Sequence, residues 1–227
     1  MAQYRYFETG LGAKYDKFTI QQSERAFSGN VDLGAIAFIS FGQLYVDKKL
    51  SWEAGLATNN YKLNFKVTSP GGEIFSDREL VAVMRSNRLF VNINHNTKSI
   101  SEKFTWVNGV GISVLIGAKN PYDVILQRGK EIETSSGTQS VNITIKTYGK
   151  TGSGILIGAS SRLYYQIKND FRLVTNLAMI TAMSELTKVD VNYVFDSSPT
   201  YKKAVFTSNG FAPFLTLGLQ YIWKYEK

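Results

Sequence analysis

The chain has no cysteine among its 227 residues, only one histidine and only four prolines. Without cysteine there is no disulfide framework, no thiolate metal site and no thiol nucleophile. A single histidine cannot build a histidine-based metal site. No apolar run approaches the ~18 residues that a membrane-spanning helix needs. A basic run is missing too. The 26 Lys and Arg, against 18 Asp and Glu, are scattered, so the net charge of +8 forms no nucleic-acid-binding patch. A membrane surface of lipid phosphates would suit scattered cations equally well. Residues 1–4, Met-Ala-Gln-Tyr, show neither the basic nor the apolar region of a signal peptide. The expectation is a mature form from which one has been removed. The length fits one compact domain, residues 1–227.

What the chain does have is alternation. From Leu215 to Tyr225 every odd position is apolar or aromatic, while Thr216, Gly218, Gln220 and Lys224 occupy even ones; only Ile222 breaks the pattern. A period of two gives a strand one greasy face and one polar or small face. Seven further segments read the same way. The first, about 4–18, sets Phe7, Thr9, Leu11, Ala13 and Tyr15 against Glu8, Gly10, Gly12, Lys14 and Asp16. The second, about 32–46, is apolar on both faces and ends at the turn Asp47-Lys48-Lys49. In the third, about 52–67, Trp52, Ala54 and Leu56 face out. Its parity then switches to Tyr61, Leu63, Phe65 and Val67, which predicts a bulge near Asn59-Asn60. The fourth, about 88–94, is the weakest. The fifth, about 103–117, turns Phe104, Trp106, Val110, Ile112, Val114 and Ile116 outward, and the sixth, about 154–167, turns Ile155, Ile157, Leu163 and Tyr165 outward. The seventh, about 171–195, does so with Phe171, Leu173, Leu177 and Met179, then with Val189, Val191, Tyr193 and Phe195.

The connections alternate in length as well. Short polar turns join strands two–three, four–five and six–seven; longer stretches, at about 19–31, 68–87, 118–153 and 196–210, join the others. An even strand count with short turns at one rim and long loops at the other predicts a transmembrane barrel, its termini periplasmic and its four longer loops extracellular. All three tryptophans, Trp52, Trp106 and Trp223, then fall at the periplasmic level, joined by Tyr4, Tyr6, Tyr45, Tyr165 and Phe171. Tyr15, Phe18, Phe65, Tyr193, Phe195, Phe211 and Phe214 fall at the other. Aromatic rings collect at lipid–water interfaces in this way.

The polar faces carry Glu8, Lys14, Asp16, Glu53, Arg162, Arg172, Lys188 and Asp190, with both signs nearly balanced. Facing a narrow lumen, such groups need partners, and a paired network filling a barrel too small to conduct is the expectation. Catalysis has little to work with. His95 is expected at a periplasmic turn, and no serine sits in a nucleophile elbow. The glycine pairs of spacing two, such as Gly10/Gly12 and Gly109/Gly111, precede no helix and are not phosphate loops. In the third long loop, residues 123–133 and 140–146 alternate again, which predicts a hairpin with its tip near 135–138 and an exposed edge open to a partner.

Thr216, Gly218, Tyr221 and Trp223 resemble the C-terminal signal that outer-membrane barrels show to their assembly machinery, though Glu226-Lys227 follow. With Gly10-Leu11-Gly12 and the run Ser51-Trp52-Glu53-Ala54-Gly55-Leu56, the chain resembles the eight-stranded outer-membrane β-barrels of Gram-negative bacteria. These include OmpA-, OmpX- and OmpW-type proteins and the PorT-like barrels of Bacteroidota. The resemblance implies an all-β, eight-stranded antiparallel up-and-down barrel in the outer membrane. It implies contact with outer-membrane lipid, lipopolysaccharide, the barrel-assembly machinery and other envelope proteins, and neither a cofactor nor nucleic acid. It does not imply one activity. The expected function is non-enzymatic, acting through the loops or as an accessory subunit of an envelope or secretion complex. The alternatives are a small channel for an apolar or small polar solute and a soluble lipocalin-like binder.

Overall fold

The computed structural model describes residues 3–22, 27–31, 33–68, 74–75, 81–117, 122–134, 137–195 and 198–225. Among these the strands, in chain order, are β1 (Gln3–Tyr15), β2 (Thr19–Gln22), β3 (Phe27–Val31), β4 (Leu33–Tyr45), β5 (Leu50–Thr58) and β6 (Tyr61–Thr68). Then come β7 (Ile74–Phe75), β8 (Val81–Met84), β9 (Asn87–Ser99), β10 (Phe104–Ile116), β11 (Tyr122–Thr134) and β12 (Gly137–Thr151). The last five are β13 (Gly154–Lys168), β14 (Phe171–Thr181), β15 (Thr187–Phe195), β16 (Ser198–Ser208) and β17 (Ala212–Tyr225).

Eight of them close a barrel in the order β1-β17-β14-β13-β10-β9-β5-β4. Every neighbour is antiparallel, and successive barrel strands lie side by side, so the barrel is an up-and-down meander. Closure removes the open edges that would otherwise need partners. Three tight connections occupy one rim: the 3-10 turn Val46–Lys48 followed by Lys49 at φ 52, residues 100–103, and the turn at Asn169-Asp170. Between barrel strands at the other rim run four long excursions, residues 16–32, 59–86, 117–153 and 182–211.

The barrel wall is apolar outside on all eight strands. Leu11 is 69% exposed, Val110 65% and Leu177 60%, with Ile39, Leu56, Val91, Ile155 and Leu217 likewise turned outward. A water-soluble wall does not carry a belt of that extent, whereas a lipid-facing one must. Inside, the strands carry the polar and small residues of the opposite parity. Glycine serves close approach at two places. A Cβ on Gly111 would lie 1.8 Å from Asn92 Oδ1, and one on Gly10 would lie 2.5 Å from the Phe38 ring.

The described residues of the long excursions are largely strand. β11-β12-β15-β16-β2 form a five-stranded sheet, and β3-β6-β7, with β8 on β6, form a second. Ile143, Ile145, Val189, Val191, Tyr193, Phe195, Ala204 and Phe206 on the first sheet are buried, as are Tyr61 and Val67 on the second. All belong to one apolar cluster with Ile36, Leu115, Leu156 and Phe214 of the barrel, so barrel and cap share a core.

This cap corrects several expectations. The third segment has no bulge at Asn59-Asn60; β5 ends there and β6 leaves for another sheet. The junction is held by the Asn59 amide donating to Ser86 O at 2.8 Å and by Ser86 Oγ donating to Asn59 O. Tyr61 and Val67 consequently face a core, not lipid; the side chains of residues 62–65 lie outside the described residues. The seventh segment is also two strands, broken over 182–186, and Val189, Val191, Tyr193 and Phe195 point into the cap. Much of the expected outer aromatic level is likewise not lipid-facing: Tyr193 and Phe195 are buried in the cap, Phe214 faces the barrel interior and Phe18 packs on the core, whereas Tyr15 is exposed as expected. Alternation records which face is dry, and protein core and lipid are equally dry. Strand four runs to Ser99, which puts His95 on strand β9 rather than in a turn. The hairpin of the third loop is present as β11 and β12, its tip residues 135–136 lying outside the described residues, as do Glu226 and Lys227. It does not stand free, because β12 also pairs with β15.

Candidate functional site

Two places gather chemistry: the barrel interior and the outward face of the cap. In the middle of the interior, Arg162 on β13 grips Glu53 on β5 with both guanidinium ends, Nη1 donating to Oε2 at 2.7 Å and Nη2 to Oε1. Glu8 on β1 approaches the same guanidinium at 3.8 Å. Asn92 donates to Glu53 Oε1 at 2.6 Å, and Gln220 donates to Glu8 Oε2 at 3.0 Å. Gly111 makes the room that Asn92 occupies. Below this layer Tyr6 donates to the Trp52 carbonyl at 3.2 Å, so Tyr6 faces the lumen instead of the interface expected for it. Arg172 lies 5.8 Å from the Tyr164 ring and donates to Gln166 at 2.6 Å.

A second polar layer caps the barrel. Lys14 donates to Asp16 at 2.9 Å and to Asn59 at 3.3 Å, and stands 4.0 Å from the Tyr61 ring centroid. Asp16 and Tyr61 lie beyond the barrel strands. Burial pushes the Asp16 carboxyl up even against Lys14, and pushes the Tyr61 phenol up to about 12. Between the two layers sits a cavity of about 40 Å³ lined by Arg88, Asn92, Ser113, Asn176 and Thr216, with Phe90 and Phe214 among its apolar walls.

The structure thus brings Glu8, Glu53 and Arg162 together, joins Lys14 to Asp16, and leaves Arg172 at the short-turn end. It does not bring Lys188 and Asp190 into the lumen. They lie on β15 in the cap, where Asp190 sits 3.6 Å from Lys188 and 3.0 Å from Lys203. Their parity resembles that of a barrel strand, but the strand has left the barrel. Arg88, Asn92, Asn59 and Tyr61 were not expected inside. The alternation within the fourth segment, Leu89, Val91 and Ile93 against Arg88, Asn92 and Asn94, is the signal that could have placed Arg88 and Asn92 on the inner face. His95 has the outward parity of β9 and faces away from Glu8 and Glu53. Among the described residues no three His, Cys, Asp or Glu side chains cluster as metal ligands.

At the short-turn rim rings touch in series. Trp52 lies 6.2 Å from Phe41, which lies 6.0 Å from Trp223; Trp223 stacks on Tyr221 at 5.7 Å, and Tyr221 lies 5.0 Å from Phe171. Tyr165 pairs with Phe104 at 4.9 Å, and the exposed Trp106 donates to Asn108 at 3.1 Å. On β17, Thr216 and Gly218 face inward while Tyr221 faces outward.

The cap's outward face is basic and aromatic. Register places Lys146 beside Asn192, with Lys203 on the far side of Asn192, Tyr148 beside Asp190, and Lys150 beside Lys188. Lys146 stands 5.2 Å from the ring of Tyr201.

Closed barrel, outward apolar belt and polar interior together define an integral membrane β-barrel of the outer-membrane type. Solved structures share that fold. The crystal structure of the outer membrane protein OprG from Pseudomonas aeruginosa matches with a TM-score of 0.57 at 10% identity, covering 98% of this chain and 96% of that one. The crystal structure of Neisserial surface protein A matches at 0.49 and 8% identity, covering 96% of both chains. No protein-family model matches the sequence, and no curated protein does.

Proposed function

We propose that this protein is a closed, non-conducting barrel of the bacterial outer membrane that works through the rigid platform on its long-loop side. The observation that carries this is the filled axis. Two polar layers and then a continuous apolar core, from Ile36 and Phe214 through Tyr61 to Val189 and Val191, occupy the path a solute would take. Short turns and termini are periplasmic in this reading, and the sheets built by the excursions stand outside. The platform is a display surface with a fixed shape, because its inner face is a protein core.

The outward lysines of that platform suit a polyanion. Lys150 and Lys188 stand directly across from each other, and Asp190, which serves both Lys188 and Lys203, is too little carboxylate to balance these lysines and Lys146. The phosphates of neighbouring lipopolysaccharide are the partner proposed, with Tyr148 and Tyr201 packing on sugar. The rim rings and the signal-like end of β17 serve the inner interface and assembly.

Reconstitution tests both halves. In planar bilayers the protein should give no discrete conductance steps; reproducible steps at low protein concentration would restore the channel. On immobilised lipopolysaccharide it should bind in a salt-sensitive way, and Lys146→Glu/Lys150→Glu should lose most of that binding. Equal binding by both forms removes the platform from the reading.

A further inference from the structure

Arg88 is a buried cation with no carboxylate paired to it among the described residues; Glu53 acts on it only from beyond ion-pair distance. It is 6% exposed, and its Nε has no hydrogen-bond partner. Among the described residues the interior ion pairs are Lys14–Asp16, Arg162–Glu8 and Arg162–Glu53; none includes Arg88. Its guanidinium instead lies 5.5 Å from the Phe90 ring and 5.2 Å from the Phe214 ring. A guanidinium cannot shed its proton at neutral pH, so burial cannot be relieved as it is for lysine. Removing it from water costs several kcal/mol, more than two ring contacts return. Arg162, one layer below, shows the ordinary solution: two carboxylates.

The side chain also borders a cavity. The 40 Å³ cavity touches Arg88, and Ser113 and Thr216 share its wall. The Thr216 hydroxyl and the Asn176 side-chain oxygen are both buried without a partner. Rotation of the Asn176 amide about its Cβ–Cγ bond would turn its NH₂ toward the cavity. The cavity wall, to which Arg162, Asn92 and Ser160 also belong, therefore offers two guanidiniums, three hydroxyls and two amides around a volume of a few water molecules.

We infer that this cavity holds one small monovalent anion, of halide size, bound to the Arg88 guanidinium. Size excludes phosphate esters and sugars. Local pairing sets the valence: Lys14 is matched by Asp16, which leaves Arg88 the interior cation without a carboxylate at ion-pair distance. Below, two glutamates face one arginine, and that excess of negative charge disfavours a divalent anion. The bound ion completes the polar core as a carboxylate does elsewhere in the barrel.

Bromide is the probe, because it scatters anomalously. Crystals of the detergent-solubilised protein, folded and grown in sodium bromide, should show an anomalous peak in hydrogen-bonding contact with the Arg88 guanidinium. Arg88→Met should lose that peak while retaining bromide peaks at any surface lysines. Should Arg88→Met fail to fold, the wild-type map still decides. A cavity with water alone or with nothing, or bromide found only at the protein surface, overturns the inference.

Discussion

Glu53 on β5 and Arg162 on β13 are 109 residues apart in sequence, yet they meet in the barrel through both ends of the guanidinium. The strands that carry them are not neighbours in the barrel, so the contact crosses the lumen. It ties together opposite parts of a wall whose own hydrogen bonds run only between adjacent strands.

Breaking this contact from one side should therefore be costly. Glu53→Ala leaves Arg162 with Glu8 alone at 3.8 Å, and a loss of about 3–5 kcal/mol is expected. Replacing both partners, Glu53→Leu with Arg162→Met, should cost distinctly less than the single change. Urea unfolding in lipid vesicles measures both, and a double variant as weak as the single one would mean that packing, not charge, sets the loss.

Alkaline stability depends on Tyr61. Its phenol keeps its proton up to about 12, while an unfolded tyrosine releases its proton near pH 10. The folded state then binds more protons between those limits, so stability is full below pH ~10 and falls as pH rises toward 12. The effect is at most about 3 kcal/mol. Tyr61→Phe should flatten that limb in a pH series of unfolding midpoints, and an unchanged slope would assign the limb to other groups.

The outward belt can be probed at its middle. Val110, 65% exposed at the centre of β10, is read as lipid-facing. Val110→Arg should cost about 2–4 kcal/mol in a bilayer, against almost nothing for Asn142→Arg on the outward face of the cap. Equal effects at the two positions in vesicle unfolding would contradict a membrane-embedded wall.

The barrel was legible in the sequence because lipid and lumen sort side chains strictly by parity. Leu11 against Glu8, or Ile112 against Ser113, could be assigned to a face from spacing alone. The cap was not, because the same period continues through β6 and β15 after the chain has left the barrel. Val189 and Val191 alternate just as Leu177 and Met179 do, and spacing alone does not separate a protein core from a bilayer. The interior site was half legible. Glu8, Glu53 and Arg162 each declared a polar inner face, but their meeting depends on which strands the closed barrel sets opposite one another. Arg88 was missed because the two faces of the weak fourth segment were not told apart.

Cap and barrel should fail separately. Val191 is fully buried in the cap, and Val191→Asp puts an unpaired charge there, a loss of several kcal/mol to that layer. The barrel has its own closed hydrogen-bonded wall. Limited proteolysis should then cut within residues 117–153 and 182–211 while heat-modifiable gel mobility persists. Simultaneous loss of both would show that the barrel cannot close without its cap.

Assembly tests the end of β17. Tyr221 and Trp223 stack on each other at 5.7 Å and link the rings of Phe171 and Phe41 across the β14–β17–β1–β4 wall. Ala at both positions removes the ring series together with the two aromatic places of the signal-like pattern. Aromatic pairs contribute about 0.5–1.5 kcal/mol each beyond their area, too little to unfold a closed barrel. Purified double variant should accordingly refold in detergent with modest loss of stability. In cells, however, it should accumulate unfolded in the periplasm, because recognition precedes folding there. Fractionation and gel mobility from the same culture separate the two effects. Normal yield in the outer membrane would mean that Thr216, Gly218, Tyr221 and Trp223 serve the wall alone.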